Sequence, residues 1–309
     1  MHRARLPAML IVVCTAGCIA GEIGVGGEGD GQEPSGDGGV RSATAAGVAV
    51  KAFRLAVTAD TTPGILNSIH HDDAWRNVAM LRKFRGDWHK LLVVGDLVHG
   101  GNLPAMWKHY WVPTYGSFEG ECSVWSVPGN HDWAWQQHKP HFERYRRFRA
   151  GWQSCPGVER TTQWVKRRPG WLLVGLDSEH CTRAADRLAG ALRFNRNHGR
   201  RRVLVAYHRP HRMPAGSHAG PFQCERVRRM ILQDRLVRIT LHGHSHRWDH
   251  FSPRAGLRTF IVGVGGGGTN GRIHQPLGAL FLRLKPDGTY SWKYRDTRKG
   301  GAITAKGKG

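Results

Sequence analysis

The chain of 309 residues contains 46 Lys and Arg residues but only 23 Asp and Glu residues, which gives a formal net charge of +23. Because about 50 residues at its start lack a globular pattern, the length leaves room for one large domain and excludes two. The arginine-rich charge would attract a phosphorylated substrate, nucleic acid or an anionic membrane surface, although a merely solvated surface is an equally good interpretation.

An export signal is predicted over residues 1–18. A basic start precedes an apolar run, Leu6 to Gly17, which is too short to cross a bilayer, since a membrane helix needs about 20 residues. The sequence Thr15-Ala16-Gly17-Cys18 resembles a bacterial lipobox, with Thr15 where an aliphatic residue is usual. We therefore expect export to the cell envelope, in the periplasm or at the cell surface, with lipidation of Cys18 favoured over plain secretion.

Residues 19–50 predict a flexible linker. They are rich in Gly and acidic residues and contain too little apolar surface to fold. A coil of about 30 residues has an end-to-end distance of about 30 Å, enough to hold a folded domain clear of a membrane. We assign that domain to residues 51–297 and expect residues 298–309 to form a disordered basic tail.

Helices and strands alternate along most of this domain. The pattern predicts helices over residues 72–84, 106–111, 133–150 and 183–197, with Trp75, Val78, Leu81 and Phe84 on one face of the first. Residues 161–166 and 171–176 form a predicted hairpin, and further strands are expected over 259–264, 279–284 and 290–294. A glycine run at residues 263–268 lacks the Gly-Lys-Ser/Thr ending of a P-loop, so we interpret it as a strand-end loop.

Five further predicted strands end in side chains that bind metal ions. In an open α/β sheet, ligands bind outside the carboxyl ends of the strands, so we expect these endings to converge on one crevice. The strands with the residues that follow them are 53–59 with Asp60, 91–94 with Gly95-Asp96, 122–127 with Gly129-Asn130-His131-Asp132, 203–207 with His208, and 237–241 with Gly243-His244-Ser245-His246.

These five blocks, in this order, resemble the calcineurin-like metallophosphoesterase superfamily, over about residues 51–295. The resemblance implies an α/β fold, a four-layer α/β/β/α sandwich in which two mixed sheets pack face to face and helices flank them. It also implies a two-metal phosphoesterase site.

The same resemblance implies how the two ions would be held. One ion would be bound by Asp96, Asn130, His208 and His244, and the other by Asp60, Asp96 and His246, so that Asp96 bridges them. Two divalent or mixed-valence ions of Fe, Zn or Mn would suit these nitrogen and oxygen ligands.

The chain departs from the superfamily pattern at Thr62, where most members have a histidine two residues after the first aspartate. Purple acid phosphatases also lack that histidine and use a tyrosine in a Gly-Asp-x-x-Tyr block, and here His99 stands in the tyrosine's place. We therefore predict that His99 replaces the missing ligand, while His70 and His71 could instead reach the site from the first loop. A loop histidine that binds substrate or nothing is the alternative interpretation of His99.

By resemblance, the enzyme would hydrolyse a phosphomonoester through attack of metal-bound hydroxide. His131 would stabilise the phosphate oxygens or protonate the leaving alkoxide, and Asp132 would orient His131 or its loop. The predicted substrate contacts are Asn130, His131, Arg209 and His211.

Two other functions stay open on the sequence alone. A phosphodiesterase acting on nucleotides or nucleic acid would suit the basic surface. The other is a non-catalytic envelope protein that binds polyanions, in which the ligand missing at Thr62 would be a first sign that the catalytic site has decayed. No G-x-S-x-G motif points to a serine nucleophile.

Four cysteines lie in the predicted domain, at positions 122, 155, 181 and 224. The chain has no C-x-x-C pair, so a structural zinc knuckle is not predicted. Export would allow three pairings of the four, and we expect at least one disulfide. The alternative is four buried free thiols.

Overall fold

Short apolar segments build a six-stranded sheet around the first two predicted strands. This computed structural model describes residues 50–61, 71–98, 104–133, 162–212, 224–266 and 277–309. In spatial order the strands are β12 (Ala302–Lys308), β11 (Tyr290–Asp296), β10 (Gly278–Leu284), β1 (Phe53–Thr58), β2 (Lys90–Val94) and β3 (Val124–Val127). Strands β1, β2 and β3 are parallel, and β10, β11 and β12 are antiparallel to their neighbours.

A second six-stranded sheet is formed by the other half of the chain. In spatial order the strands are β4 (Trp164–Arg168), β5 (Trp171–Gly175), β6 (Arg202–Ala206), β7 (Val237–His242), β9 (Leu257–Val262) and β8 (Trp248–Arg254). Strands β5, β6, β7 and β9 are parallel, while β4 and β8 run antiparallel at the two edges. The predicted hairpin is confirmed as β4 and β5.

The two sheets pack face to face, and helices cover their outer faces. Leu55 of β1 and Leu204 of β6 belong to one buried cluster with residues from both sheets. Burial of one such leucine stabilises the fold by roughly 2 kcal/mol. Helix α1 (His71–Lys83) and a short helical segment (Pro104–Met106, continued as a π-helix over Trp107–Trp111) cover the first sheet, and α2 (Cys181–Asn197) and α3 (Glu225–Gln233) cover the second. The predicted four-layer arrangement of two mixed sheets is confirmed.

The C-terminal segment corrects one prediction. A disordered tail over residues 298–309 is wrong, because Ala302–Lys308 form β12 and pair with β11. The segment has few large apolar residues, so its composition gave no sign of a strand. The open backbone edge of β11 supplies hydrogen-bond partners that composition does not reveal.

Other elements also differ from the sequence pattern. Trp75 was expected on the buried face of α1, yet it is 42% exposed, and the buried face contains Ala74, Val78 and Leu81. Helix α3 and strand β8 were not predicted. Strand β8 contains Pro253 and polar residues, which suit an edge strand.

A disulfide bond joins Cys181 to Cys224. Cys181 begins α2 and Cys224 immediately precedes α3, so the bond ties the starts of two helices on the same sheet. Cys122 is disulfide-bonded as well. The prediction of at least one disulfide is confirmed, and the alternative of four free thiols is wrong.

Several predicted features lie outside the described residues, namely the export signal with Cys18, most of the linker, the helix over 133–150 beyond Trp133, and Cys155. Within the ranges that the structure describes, no helix is both long and apolar enough to cross a membrane.

Candidate metal centre

Side chains from both sheets meet beyond the carboxyl ends of β1, β2, β6 and β7. Asp96, His208 and His244 form one group of potential ligands, and Asp60, Asp96 and His246 form a second. Within each group the candidate ligand atoms lie within 4.8 Å of one another. Asp96 belongs to both groups, so its two oxygens can bridge a pair of ions.

Asp96 is almost completely buried, with 5% of its surface exposed. Its Oδ1 accepts a hydrogen bond from the backbone N–H of His131 at 2.9 Å, and its Oδ2 lies 3.1 Å from His208 Nε2. Burial opposes ionisation, but the charges and hydrogen bonds of these two histidines outweigh it and hold the pKa of Asp96 well below its usual range. A buried anionic carboxylate is the expected centre of a cation site.

His208 is oriented by the backbone of the first sheet. Its Nδ1 lies 2.9 Å from the carbonyl oxygen of Val94, which can only accept, so Nδ1 carries the proton and Nε2 faces Asp96. Burial alone would lower the pKa of His208, but the Asp96 carboxylate raises it to about 10. A metal ion that binds Nε2 must therefore displace a proton.

Asp60 is held by the loop after β7. Its Oδ2 accepts a hydrogen bond from the backbone N–H of His244 at 2.9 Å, and its Oδ1 lies 3.3 Å from His246 Nε2. Only 1% of Asp60 is exposed. A carboxylate of the first sheet is thus joined to a histidine loop of the second.

Asn130 supplies a further test of whether this site suits a metal ion. Its Oδ1 is buried and has no hydrogen-bond partner in the described part of the chain. A buried carbonyl oxygen without a partner is costly, and a cation would satisfy it. Together with the carboxylates and imidazoles, it completes a donor set that suits Fe, Zn or Mn.

Four of the site residues adopt a left-handed backbone conformation. The φ angles are 54° for Asp60, 48° for Asp96, 70° for His244 and 48° for His246. Each such residue costs about 1–2 kcal/mol relative to an ordinary conformation. The surrounding hydrogen bonds stabilise this backbone conformation, which directs each side chain from its strand end into the crevice.

Glycines beside these ligands leave room for close packing. Gly95 has φ +82°, and a Cβ there would clash with the His208 ring. A Cβ on Gly243 or on Gly263 would lie 2.7 Å from Asp60 Oδ2. Gly263 begins the glycine run directly after β9, so this run also packs against the site.

Asp132 connects two loops of the first sheet. Its Oδ1 accepts from the backbone N–H groups of Leu97 and Val98 at 2.9 and 3.1 Å, and its Oδ2 accepts from that of Gly129 at 2.8 Å. Burial and the neighbouring charge of Asp96 raise the pKa of Asp132 to about 8. These contacts support the loop-orienting role among the two roles predicted for Asp132.

The loop after β5 is a part of the site that the sequence interpretation missed. Glu179 Oε1 lies 2.8 Å from Arg209 Nε, and Arg209 Nη1 lies 3.0 Å from His244 Nε2. The hydrogen bond that His180 Nδ1 donates to Asp177 raises the pKa of His180, whose ring packs on Trp133 with the centroids 4.5 Å apart. The sequence carries a signal for this loop, because β5 and Leu176 form an apolar run that is followed by Asp-Ser-Glu-His.

His211 belongs to neither of the two ligand groups. Its Nδ1 is 2.6 Å from the Tyr207 hydroxyl, and its ring centroid is 5.1 Å from that of His242. Burial, with the charges of Arg228 and Arg212, lowers the pKa of His211 to about 4. These contacts give no support to its predicted role in substrate binding, which stays a prediction.

The prediction that His99 replaces the missing ligand concerns residues that the structure does not describe. Thr62, His70 and His99 lie outside the described residues, as does the side chain of His71. His99 therefore stays a prediction.

Comparison with known proteins agrees with this geometry. The profile of the family described as calcineurin-like phosphoesterase matches residues 53–248. No curated protein matches the sequence.

Among solved structures, similarity extends over most of the described fold. GAP50, the anchor in the inner membrane complex of Plasmodium, has a TM-score of 0.60 at 15% identity, with 84% of this chain and 88% of that chain covered. A dimetal phosphatase from Danio rerio has a TM-score of 0.59 at 15% identity, covering 84% and 98% of the two chains. Purple acid phosphatase PPD1 from yellow lupin (Lupinus luteus) seeds has a TM-score of 0.61 at 13% identity, covering 84% of this chain but 54% of that one. At such identities these similarities establish the fold alone.

The partly buried, neutral His211 lowers the free energy of unfolding in acid. An unfolded histidine titrates near 6.5, so the unfolded chain takes up a proton at this residue below pH 6.5, whereas the folded chain does so only near pH 4. In the wild type this difference should lower the free energy of unfolding by up to about 3 kcal/mol between pH 6.5 and pH 4, and His211→Gln should remove that loss. Urea unfolding at pH 7.5 and pH 4.5 measures it, with the exposed His109→Gln as the matched control. Equal acid sensitivity of His211→Gln and the wild type would contradict this prediction.

Proposed function

Since the chain belongs to the calcineurin-like phosphoesterase family and is a metal-dependent phosphoesterase, we propose that it hydrolyses phosphomonoesters at a dinuclear metal centre. The observation that carries this proposal is the shared position of Asp96 in both ligand groups. A bridging carboxylate is what a two-ion phosphoryl-transfer site requires.

The contacts around Asp96 support the proposed ligands. Asp96, Asn130, His208 and His244 would hold one ion, and Asp60, Asp96 and His246 the other, with His99 as the proposed additional ligand. When bound, the two ions would lower the pKa of a water for attack on phosphorus and neutralise the charge of the phosphate.

The proposed proton donor is His131. Burial first of all lowers its pKa, although the nearby Asp96 carboxylate opposes this shift. Its Nε2 lies 4.0 Å from Asp96 Oδ2, so the ring faces the same crevice as the ligands. In this position it would hydrogen-bond a phosphate oxygen or protonate the leaving alkoxide.

Arg209 is the proposed contact for the phosphate. Its guanidinium is fixed by Glu179 on one side and approaches His244 on the other. A guanidinium presents several donors in a plane that matches phosphate oxygens. A dianionic monoester would gain more from this charge than a monoanionic diester, which favours the monoester assignment.

Replacing Asp96 tests the dinuclear centre. The wild type, purified without chelator, should contain about two metal ions per chain by elemental analysis, and Asp96→Asn should lose metal and lower phosphate release at least about 100-fold. Asp186→Asn, an exposed carboxylate on α2, is the matched control and should keep both.

Reporter substrates then separate the alternatives. Faster turnover of an aryl phosphomonoester than of an aryl phosphodiester, at both low and high salt, supports the proposal. A preference for the diester would favour the phosphodiesterase. Absence of metal together with metal-independent binding of polyanions would favour the non-catalytic envelope protein.

Replacing Arg209 tests the phosphate contact. Loss of a charge-assisted hydrogen bond should raise KM for the monoester about tenfold in Arg209→Gln, with a smaller change in kcat. Glu179→Gln should shift KM in the same direction by a smaller factor, because it loosens Arg209 without removing it. Metal content should not change, and Arg187→Gln on α2 is the control. An unchanged KM in Arg209→Gln would exclude the contact.

We also propose export with a lipid anchor at Cys18. The disulfide between Cys181 and Cys224 supports export, because disulfides persist in oxidising compartments. Cys18→Ser should move the protein from the membrane fraction to the soluble fraction of the cell envelope, since the lipid on Cys18 would supply the anchor. Immunoblots of the two fractions measure this, and an unchanged membrane fraction would rule out the anchor at Cys18.

A further inference from the structure

A concave basic surface lies between α2 and α3, at the end of the second sheet that is opposite the metal centre. The cavity has a volume of about 660 Å³. Arg202 begins β6, whereas His208 follows the end of that strand, so the cavity lies about 20 Å from the metal centre at 3.3 Å per residue. The two sites are therefore separate.

The charged lining of this cavity is almost entirely positive. Among the described residues that line it, Asp234 is the single acidic one. Five guanidinium groups and one carboxylate leave a formal excess of four positive charges. The arginines are Arg193, Arg196, Arg200, Arg202 and Arg235.

Most of these guanidinium groups lack a counter-charge among the residues that the structure describes. Arg196 is paired with Asp234 at 2.9 Å. The side chains of the other four arginines make no ion pair or hydrogen bond with any residue in the described ranges. A guanidinium stays protonated in proteins, so the mutual repulsion cannot be relieved by deprotonation. An external anion would relieve it.

The floor of the cavity is apolar. Leu192 is 3% exposed and lies among the lining residues with Ala189, Met230 and Leu236. An apolar floor lowers the local dielectric constant, which strengthens the attraction between the surrounding guanidinium groups and an anion. Such a cavity differs from an arginine stripe on a convex, fully solvated surface.

We propose that this cavity binds an anion that carries two or more phosphate groups. Several guanidinium groups around one concave volume can each contact a different phosphate, and the volume exceeds what one phosphate fills. The phosphates could belong to a soluble oligophosphate or to a phosphorylated lipid headgroup, and the chemistry of recognition is the same. This inference does not depend on the metal centre.

The test compares two triple variants of equal charge. In Arg193→Gln/Arg200→Gln/Arg235→Gln the cavity loses three guanidinium groups. In Arg183→Gln/Arg187→Gln/Arg229→Gln the same helices, α2 and α3, lose three exposed arginines outside the cavity. Binding of inorganic triphosphate is measured by isothermal titration calorimetry, and binding to vesicles containing a phosphomonoester lipid is measured by cosedimentation.

The cavity variant should bind the phosphate probe at least about tenfold more weakly than the wild type, and the control variant should bind it as the wild type does. Hydrolysis of the monoester reporter should be the same in all three proteins. Binding of triphosphate identifies a soluble ligand, and binding of vesicles alone identifies the lipid headgroup. Equal binding by the two variants, or arginine-dependent binding of duplex DNA but of neither phosphate probe, would overturn the proposal.

Discussion

The structure depends on one buried carboxylate that two sheets hold in common. Asp96 follows β2 of the first sheet, and its oxygens contact the His131 backbone and the His208 ring, which follows β6 of the second sheet. Both of the described ligand groups include this carboxylate. The fold must therefore keep a negative charge away from water, and the opposing cationic groups are what make its burial tolerable.

The carboxyl ends of parallel strands explain how much of the site could be predicted from the sequence. Asp60, Asp96, His208 and His244 each stand two residues after an apolar strand, and the structure brings their side chains together. The pattern is local in the sequence, and the topology of parallel sheets supplies the rest. Periodicity also placed α1, α2 and the hairpin of β4 and β5.

What escaped prediction depends on contacts between distant parts of the chain. Strand β12 forms because β11 offers a free edge, and no property of residues 302–308 alone indicates it. Glu179 is recognised as part of the site only when the fold places Arg209 beside it. Trp75 has the spacing of a core residue but lies at the solvent side of α1, because the buried stripe is centred on Ala74, Val78 and Leu81. Tertiary packing overrides spacing in each case.

The division of ligands between the two sheets has a mechanical consequence. An ion bound by Asp60 and His246, or by Asp96 and His208, would cross-link two sheets that otherwise pack together through apolar side chains. The positions of the ligands then depend on remote contacts such as those of Leu55 and Leu204. A shift of about 1 Å between the sheets would separate the ligands of both ions at once. Residues that never approach a phosphate would in this way govern how fast it is released.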